Sequence, residues 1–138
     1  MHRLIAAGIG GIVLSALLVS GTGAADKKDG VPTTEEIMKK VNKPKGLHKA
    51  VGKALEEDKV EWDNVTKMTK EYAELAGALG LNPKPDKGSK ASWDKLCKSY
   101  GEDAKALEAA VNKKDKTASG TAWSKLNKSC QGCHDEHR

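Results

Sequence analysis

The last residues of the chain bring two thiols and an imidazole together in a short spacing. Cys130 and Cys133 are separated by two residues, and His134 follows the second cysteine directly. On a helix, this spacing places both thiols along one edge of a turn with the imidazole beside them. Such thiols can bond to the two vinyl groups of one porphyrin, and the imidazole can bind its iron axially. The spacing therefore predicts one covalently attached haem c per chain, with His134 as an iron ligand.

A third cysteine leaves a second interpretation of the thiols open. Zinc could be held by the three cysteines together with His134 or His137, a donor set that zinc accepts. That interpretation gives no reason for a histidine directly after the second cysteine, so haem is favoured. Leu96 and Tyr100 place Cys97 on an apolar helix face. We therefore expect Cys97 to be a buried and unreactive thiol.

Residues 1–25 have the order of regions that a secretory signal peptide shows. Residues 1–3, Met-His-Arg, are a short basic start, Leu4 to Val19 is uncharged and largely apolar, and small residues follow. Cleavage is expected after Ala24 or Ala25. An uncleaved membrane anchor is the alternative, although the apolar run is short for a span of about 20 residues. Both interpretations place the remaining domain outside the cytoplasm, and we expect it in the periplasm.

Residues 26–138 are enough for one domain, and their pattern is helical. Thr33 and Glu36 form a capping box that starts the first helix, and residues 42–46 should kink or interrupt it before it continues to Leu55. The further helices are predicted over residues 60–79, 89–112 and 116–138, with a long loop over 80–88. The fold class expected is all-α, an antiparallel four-helix bundle. The chain has no phenylalanine, so a haem between the helices would supply apolar volume that the core lacks.

The charge pattern bears on the partners. The chain has a net charge of +5, and its lysines are dispersed along the helices. No basic stripe with interleaved aromatic residues is present, which argues against nucleic acid. Dispersed lysines usually form a solvated surface, but they could also steer an acidic redox protein, soluble or membrane-bound.

Spacing on the last helix indicates which other residues belong to the haem site. Trp123 and Leu126 lie seven residues before Cys130 and Cys133, so we expect them on the same face, as the floor of the pocket. Arg138 lies four residues after His134 and could cover that side or pair with a propionate. His137, at the end of the chain, is expected to be exposed.

The C-terminal motif follows four predicted helices and consists of Cys130, Cys133, His134, Asp135 and Arg138. With this arrangement the chain resembles the class II c-type cytochromes. This family includes cytochrome c prime and its low-spin relatives. The resemblance implies a bundle with haem near its C-terminal end, in contrast to class I cytochromes, which carry the motif near the N-terminus.

The resemblance also implies which residue covers the second face of the iron. In this family that residue lies early in the first helix, where this chain has Met38. A methionine ligand would raise the potential and close the iron to gases, whereas a methionine that only packs there would leave the iron open. His48 is a second candidate for the sixth ligand and Met68 a third. The Lys43–Gly46 insertion and the absence of an arginine four residues before Met38 depart from the cytochrome c prime pattern.

Two functions therefore stand side by side. The first is an exported single-electron carrier with haem c as its cofactor. The alternative is a five-coordinate, cytochrome c prime-like protein that binds NO or CO. An enzyme is not predicted, because a peroxidase would need a distal His or Glu, and His48 is the one plausible candidate. A homodimer is possible.

Overall fold

A computed structural model describes residues 30–138, and the regular structure in that range is entirely α-helical. The predicted signal peptide, residues 1–25, lies outside the described residues. The helices are α1 Thr34–Asn42, α2 Leu47–Glu56, α3 Trp62–Leu79, α4 Lys90–Asn112 and α5 Lys116–His137. They follow the predicted order, with α1 and α2 as the two halves of the first predicted helix.

The break between α1 and α2 has a local cause. Lys43 ends α1 in an extended conformation, as expected for a residue before Pro44. The amide of Gly46 then closes a turn on the carbonyl of Lys43 at 2.6 Å. A Cβ at Gly46 would lie 2.3 Å from the carbonyl oxygen of Val41. The turn therefore needs glycine, and α2 starts in a new direction.

The five helices pack as a four-helix bundle, in which α1 and α2 together take the place of one helix. α3 packs against α2 and α4, and α5 packs against α4 and α2, while α1 contacts α2 and α3. The bundle is antiparallel, because short connections join helices that contact each other. Its core consists mainly of small and branched side chains, joined by Tyr72, Trp93 and Tyr100. The predicted fold class is confirmed.

Asn82 fixes the start of α1 to the end of α3. Its side-chain oxygen accepts a hydrogen bond from the Thr34 amide at 3.1 Å. Its side-chain nitrogen donates to the carbonyls of Pro32 and Ala78, at 3.0 and 3.1 Å. One side chain therefore holds three backbone groups and fixes the start of α1 to the C-terminal end of α3.

α4 and α5 are also joined by an ion pair. The side chain of Asp103 is buried, and its Oδ1 lies 2.8 Å from Nζ of Lys125. Lys125 is exposed, and its pKa is raised, chiefly by the hydrogen bond to Asp103.

Across residues 30–138, none of the helices has both the length and the apolar character that a membrane span requires.

Candidate haem site

Two adjacent cavities lie between α1 and the C-terminal end of α5. The outer cavity has a volume of about 550 Å³ and the inner one about 40 Å³. The outer volume falls within the range of ligand sites, about 300–1,000 Å³. Five residues line both cavities: Met38, Asn42, Leu79, Cys133 and His134.

The structure brings the three residues of the C-terminal motif to these cavities. Cys133 and His134 line both of them, and Cys130 lines the inner one. The Cys130 thiol lies 3.4 Å from the Leu126 carbonyl, to which it donates. Burial raises the pKa of both cysteines, so the thiols are protonated near neutral pH.

Met38 reaches the same cavities from the other end of the chain. It is half-buried and packs against the core, on the face of α1 that also carries Ile37 and Val41. Asn42, one turn further along α1, donates a hydrogen bond from Nδ2 to Sδ of Met38 at 3.2 Å. The thioether is thus held at the cavity wall by a neighbour on its own helix. Whether Met38 binds iron stays a prediction.

The remaining lining residues suit a porphyrin with two carboxylates. Leu79 and Trp93 supply apolar wall. Lys43 and Arg138 line the outer cavity and are exposed, so their charges can meet propionates. Two thiols, an imidazole, a thioether, apolar walls and basic groups together form the donor set that haem c requires. The residues present therefore fit this cofactor.

Trp123 and Leu126 lie elsewhere than expected. Both are absent from the lining of the two cavities. Leu126 is fully buried in the bundle core. Trp123 packs on α2, where a Cβ at Gly52 would lie 2.6 Å from its ring, and its Nε1 donates to the His48 carbonyl at 3.1 Å. They share a helix face with the cysteines, but the rise of about 1.5 Å per residue carries them deeper into the bundle.

His48 does not line either cavity. Its ring stacks on Trp123 with centroids 5.1 Å apart, and both ring nitrogens have partners. Nδ1 lies 3.0 Å from the Tyr72 hydroxyl, and Nε2 lies 2.8 Å from Oδ1 of Asn127. The structure therefore gives no support to His48 as the sixth ligand. Met68 lies outside both cavities as well.

The expectation that His137 is exposed was wrong. Its side chain is buried, with an edge contact to Trp93 at 5.4 Å between ring centroids. Nδ1 lies 3.0 Å from the Lys87 carbonyl, and Nε2 lies 3.2 Å from the Ser92 hydroxyl. The loop before α4 closes over the end of α5, and this long-range packing replaces the fraying expected of a chain end. His137 lines the outer cavity.

Cys97 is buried, as the sequence predicts, and burial raises its pKa to about 12. It faces the end of α3, where a Cβ at Gly80 would lie 3.3 Å from it. Among residues 30–138, no three His, Cys, Asp or Glu side chains are grouped to hold a metal ion. The four donors of the zinc interpretation are therefore not brought together.

Asn42 and Tyr100 are among the polar lining residues that were missed from the sequence. Asn42 lies four residues after Met38, a spacing that predicts contact on a helix, and this signal could have found it. Tyr100 lines the inner cavity from α4. Its apolar position was recognised, but its distance in sequence from the motif gave no sign that it reaches the site.

The comparisons with known proteins bear on the attachment side of the site. The family model for Cytochrome C' matches residues 88–138, which contain α4 and α5. The resemblance to the class II c-type cytochromes is therefore confirmed, and the match indicates a haem-binding cytochrome. No curated protein and no solved structure matches the chain significantly. The matched residues include Cys130, Cys133 and His134 but not Met38, so the match does not bear on the second face of the iron.

Proposed function

We propose that the protein is an exported monohaem c-type cytochrome that carries single electrons, with His134 and Met38 as the two axial ligands. One observation carries the proposal. Met38 from α1 and His134 from α5 line both cavities, although they lie 96 positions apart in the chain (134 − 38). An imidazole and a thioether are the ligand pair of electron-carrying c-type cytochromes.

Each lining residue then has a defined role. Cys130 and Cys133 supply the thiols that bond to the porphyrin, and His134 supplies a nitrogen ligand. Haem, once bound, supplies an iron that cycles between Fe(II) and Fe(III). Leu79 and Trp93 exclude water from the cavity, which keeps the polarity around the iron low in both states.

The thioether of Met38 decides between the two candidate functions. Packing from the core and the hydrogen bond from Asn42 hold Sδ at the cavity wall. A ligand that is already positioned loses little entropy when it binds, which favours an iron with both axial positions filled. The alternative is a five-coordinate iron that binds NO or CO. It requires Met38 to pack without binding.

The visible spectrum of the purified, haem-loaded protein separates these functions. We expect a low-spin spectrum in the reduced state that does not change when CO is added at neutral pH. A high-spin reduced spectrum that shifts strongly with CO would replace electron transfer by gas binding as the function.

The partner we propose is an acidic redox protein. Lys43 and Arg138 lie at the outer cavity, on a chain whose net charge is +5. Such charges speed association with an acidic surface, and salt screens this attraction. We expect the rate of electron exchange with an anionic redox protein to fall as salt rises, and Lys43→Gln to weaken that dependence. If Lys43→Gln leaves the salt dependence of the exchange rate unchanged, the face around the outer cavity is excluded as the docking site.

Export is part of the proposal and can be tested by mass. Protein isolated from the periplasm of an expression host with haem-attachment machinery should lack residues 1–24 or 1–25 and carry the mass of one haem. A full-length mass in the membrane fraction would indicate the uncleaved anchor instead.

A further inference from the structure

A chain of hydrogen bonds runs from the inner cavity to the protein surface. Tyr100, which lines the inner cavity, donates from its hydroxyl to the Tyr72 hydroxyl at 3.0 Å. The Tyr72 hydroxyl lies 3.0 Å from Nδ1 of His48. Nε2 of His48 lies 2.8 Å from Oδ1 of the exposed Asn127. Four side chains from four helices thus connect the cavity wall with solvent.

The donors and acceptors of this chain fix its direction. Since the Tyr72 oxygen accepts from Tyr100, the Tyr72 proton is free to be donated to Nδ1 of His48. Nδ1 is then an acceptor, so the neutral imidazole carries its proton on Nε2 and donates it to Asn127. While His48 is neutral, the hydroxyl protons of Tyr100 and Tyr72 both point away from the inner cavity.

Protonation of His48 reverses the direction. One proton from solvent forms an N–H bond at Nδ1, which then donates to the Tyr72 oxygen. The Tyr72 hydroxyl rotates and donates to the Tyr100 oxygen, so Tyr100 no longer has an acceptor on that side. Its hydroxyl proton becomes available to the cavity. No other covalent bond forms or breaks, because the two hydroxyl groups only rotate.

The inner end of the chain lies close to the attachment residues. Burial is the main cause of a strongly raised pKa at both Tyr72 and Tyr100. Tyr100 lines the inner cavity together with Cys130 and Cys133. Both tyrosines therefore stay protonated near neutral pH and can pass on an orientation without ionising.

The groups that face the His48 ring come from α3 and α5. α3 presents Tyr72 to the ring, and α5 presents Trp123 and Asn127. Tyr72 is the titratable group among these, and it is neutral over the range in which an imidazole changes charge. α1 also packs against α2, but within residues 30–138 the ring contacts and ring hydrogen bonds of His48 are all to residues of α3 and α5.

We propose that the chain Tyr100–Tyr72–His48 is a proton-linked switch that couples the protonation of His48 to the oxidation state of a haem in the cavity. The proposal rests on the proposed function for the presence of haem. Reduction adds one electron, taken from the redox partner, and the added negative charge favours a hydroxyl proton directed into the cavity. Reduction therefore favours uptake of up to one proton from solvent at His48, and the reduction potential falls as pH rises.

The test is the reduction potential of the haem-loaded protein, measured by spectroelectrochemistry from about pH 5 to 8, where an imidazole titrates. We expect the proton affinity of His48 to differ by about fivefold between the oxidation states, the lower end of typical coupling between sites. At about 59 mV per factor of ten for a one-electron couple, a fivefold difference corresponds to a change in potential of about 41 mV. His48→Gln and Tyr72→Phe should each remove this part of the pH dependence.

Thr69→Val is the matched control, since Thr69 also carries a buried hydroxyl on α3 but bonds to the backbone of its own helix. It should keep the pH dependence of the unchanged protein. If Tyr72→Phe also keeps this pH dependence while His48→Gln loses it, the charge of His48 acts on the haem directly through space. The switch through the tyrosines is then refuted. If neither variant alters it, His48 is not linked to the haem and the proposal also fails.

Two further readouts separate this proposal from the proposed function. ¹⁵N NMR of the full-length protein should show neutral His48 with its proton on Nε2. The opposite tautomer would contradict the direction inferred for the hydrogen bonds from Tyr100 to His48. The CO response of the same samples reports on the sixth ligand. A protein that binds CO but keeps the His48-dependent and Tyr72-dependent titration would refute electron transfer while supporting the switch.

Discussion

Trp123 lies against the backbone of α2 at Gly52, where a Cβ would come within 2.6 Å of the indole ring. The indole N–H also donates to the His48 carbonyl one turn earlier on α2. α2 and α5 therefore approach as closely as a glycine allows. Trp123 thus lies outside the lining of both cavities and stacks on the His48 ring.

Gly52→Ala should destabilise the protein by about 1–3 kcal/mol, the usual cost of overpacking a core. The added methyl group would meet the rigid indole, so either the ring or α2 has to move. The measurement is the free energy of unfolding in urea.

Gly77→Ala is the control for that change. Gly77 is also helical, but a Cβ there meets no atom within 4 Å. Alanine should be neutral or stabilise α3 by up to about 1 kcal/mol. Equal effects at both glycines would show that the contact with Trp123 has no energetic weight.

The three cysteines should differ in reactivity once haem is attached. Cys97 is buried with a pKa raised to about 12, so almost no thiolate is present at pH 8. We expect the native protein to resist alkylation at that pH and to take up one alkyl group per chain after unfolding. The masses of the alkylated protein give this count.

Three alkyl groups per unfolded chain would mean that Cys130 and Cys133 are free, which contradicts covalent attachment. Rapid reaction of the native, haem-loaded protein would contradict the burial of Cys97. Cys97→Ser should take up no alkyl group, folded or unfolded, and so confirms the assignment.

The loop before α4 should depend on the contact between Gly88 and His137. Gly88 has a φ of +76°, and a Cβ there would lie 2.3 Å from the His137 ring. Gly88→Ala should therefore destabilise the protein by about 1 kcal/mol or more, from backbone strain and from the clash. Thermal unfolding of the haem-loaded protein measures the loss.

Gly120→Ala serves as the comparison, because a Cβ at that helical position meets nothing within 4 Å. It should leave the melting temperature unchanged or raise it. A Gly88 variant as stable as the Gly120 variant would mean that the loop does not need this contact.

The helices could be predicted because their signals are local. Thr33 caps α1 and exchanges hydrogen bonds with Glu36, as the capping box predicts. Ser89 and Asp115 cap α4 and α5 through a side-chain oxygen that accepts a hydrogen bond from the amide three residues later. The break at Lys43–Gly46 also follows from the residues themselves.

The site could be predicted only in part, because side-chain directions depend on distant partners. Cys130 and His134 reach the cavity through their own helix, so spacing was enough. Trp123 depends on a glycine of α2, and His137 depends on a loop 50 residues away (137 − 87). Periodicity gives the face of a helix but not how far along that face a cavity extends.

Met38 is the proposed ligand on the second face of a haem held by Cys130, Cys133 and His134. The most direct measurement is the absorption spectrum of reduced, haem-loaded Met38→Leu with and without CO. Met68→Leu is the matched control, since Met68 packs against the core but lines neither cavity. We predict that Met38→Leu becomes high-spin and binds CO, while Met68→Leu and the unchanged protein stay low-spin. A Met38→Leu spectrum identical to that of the unchanged protein would rule out Met38 as an iron ligand.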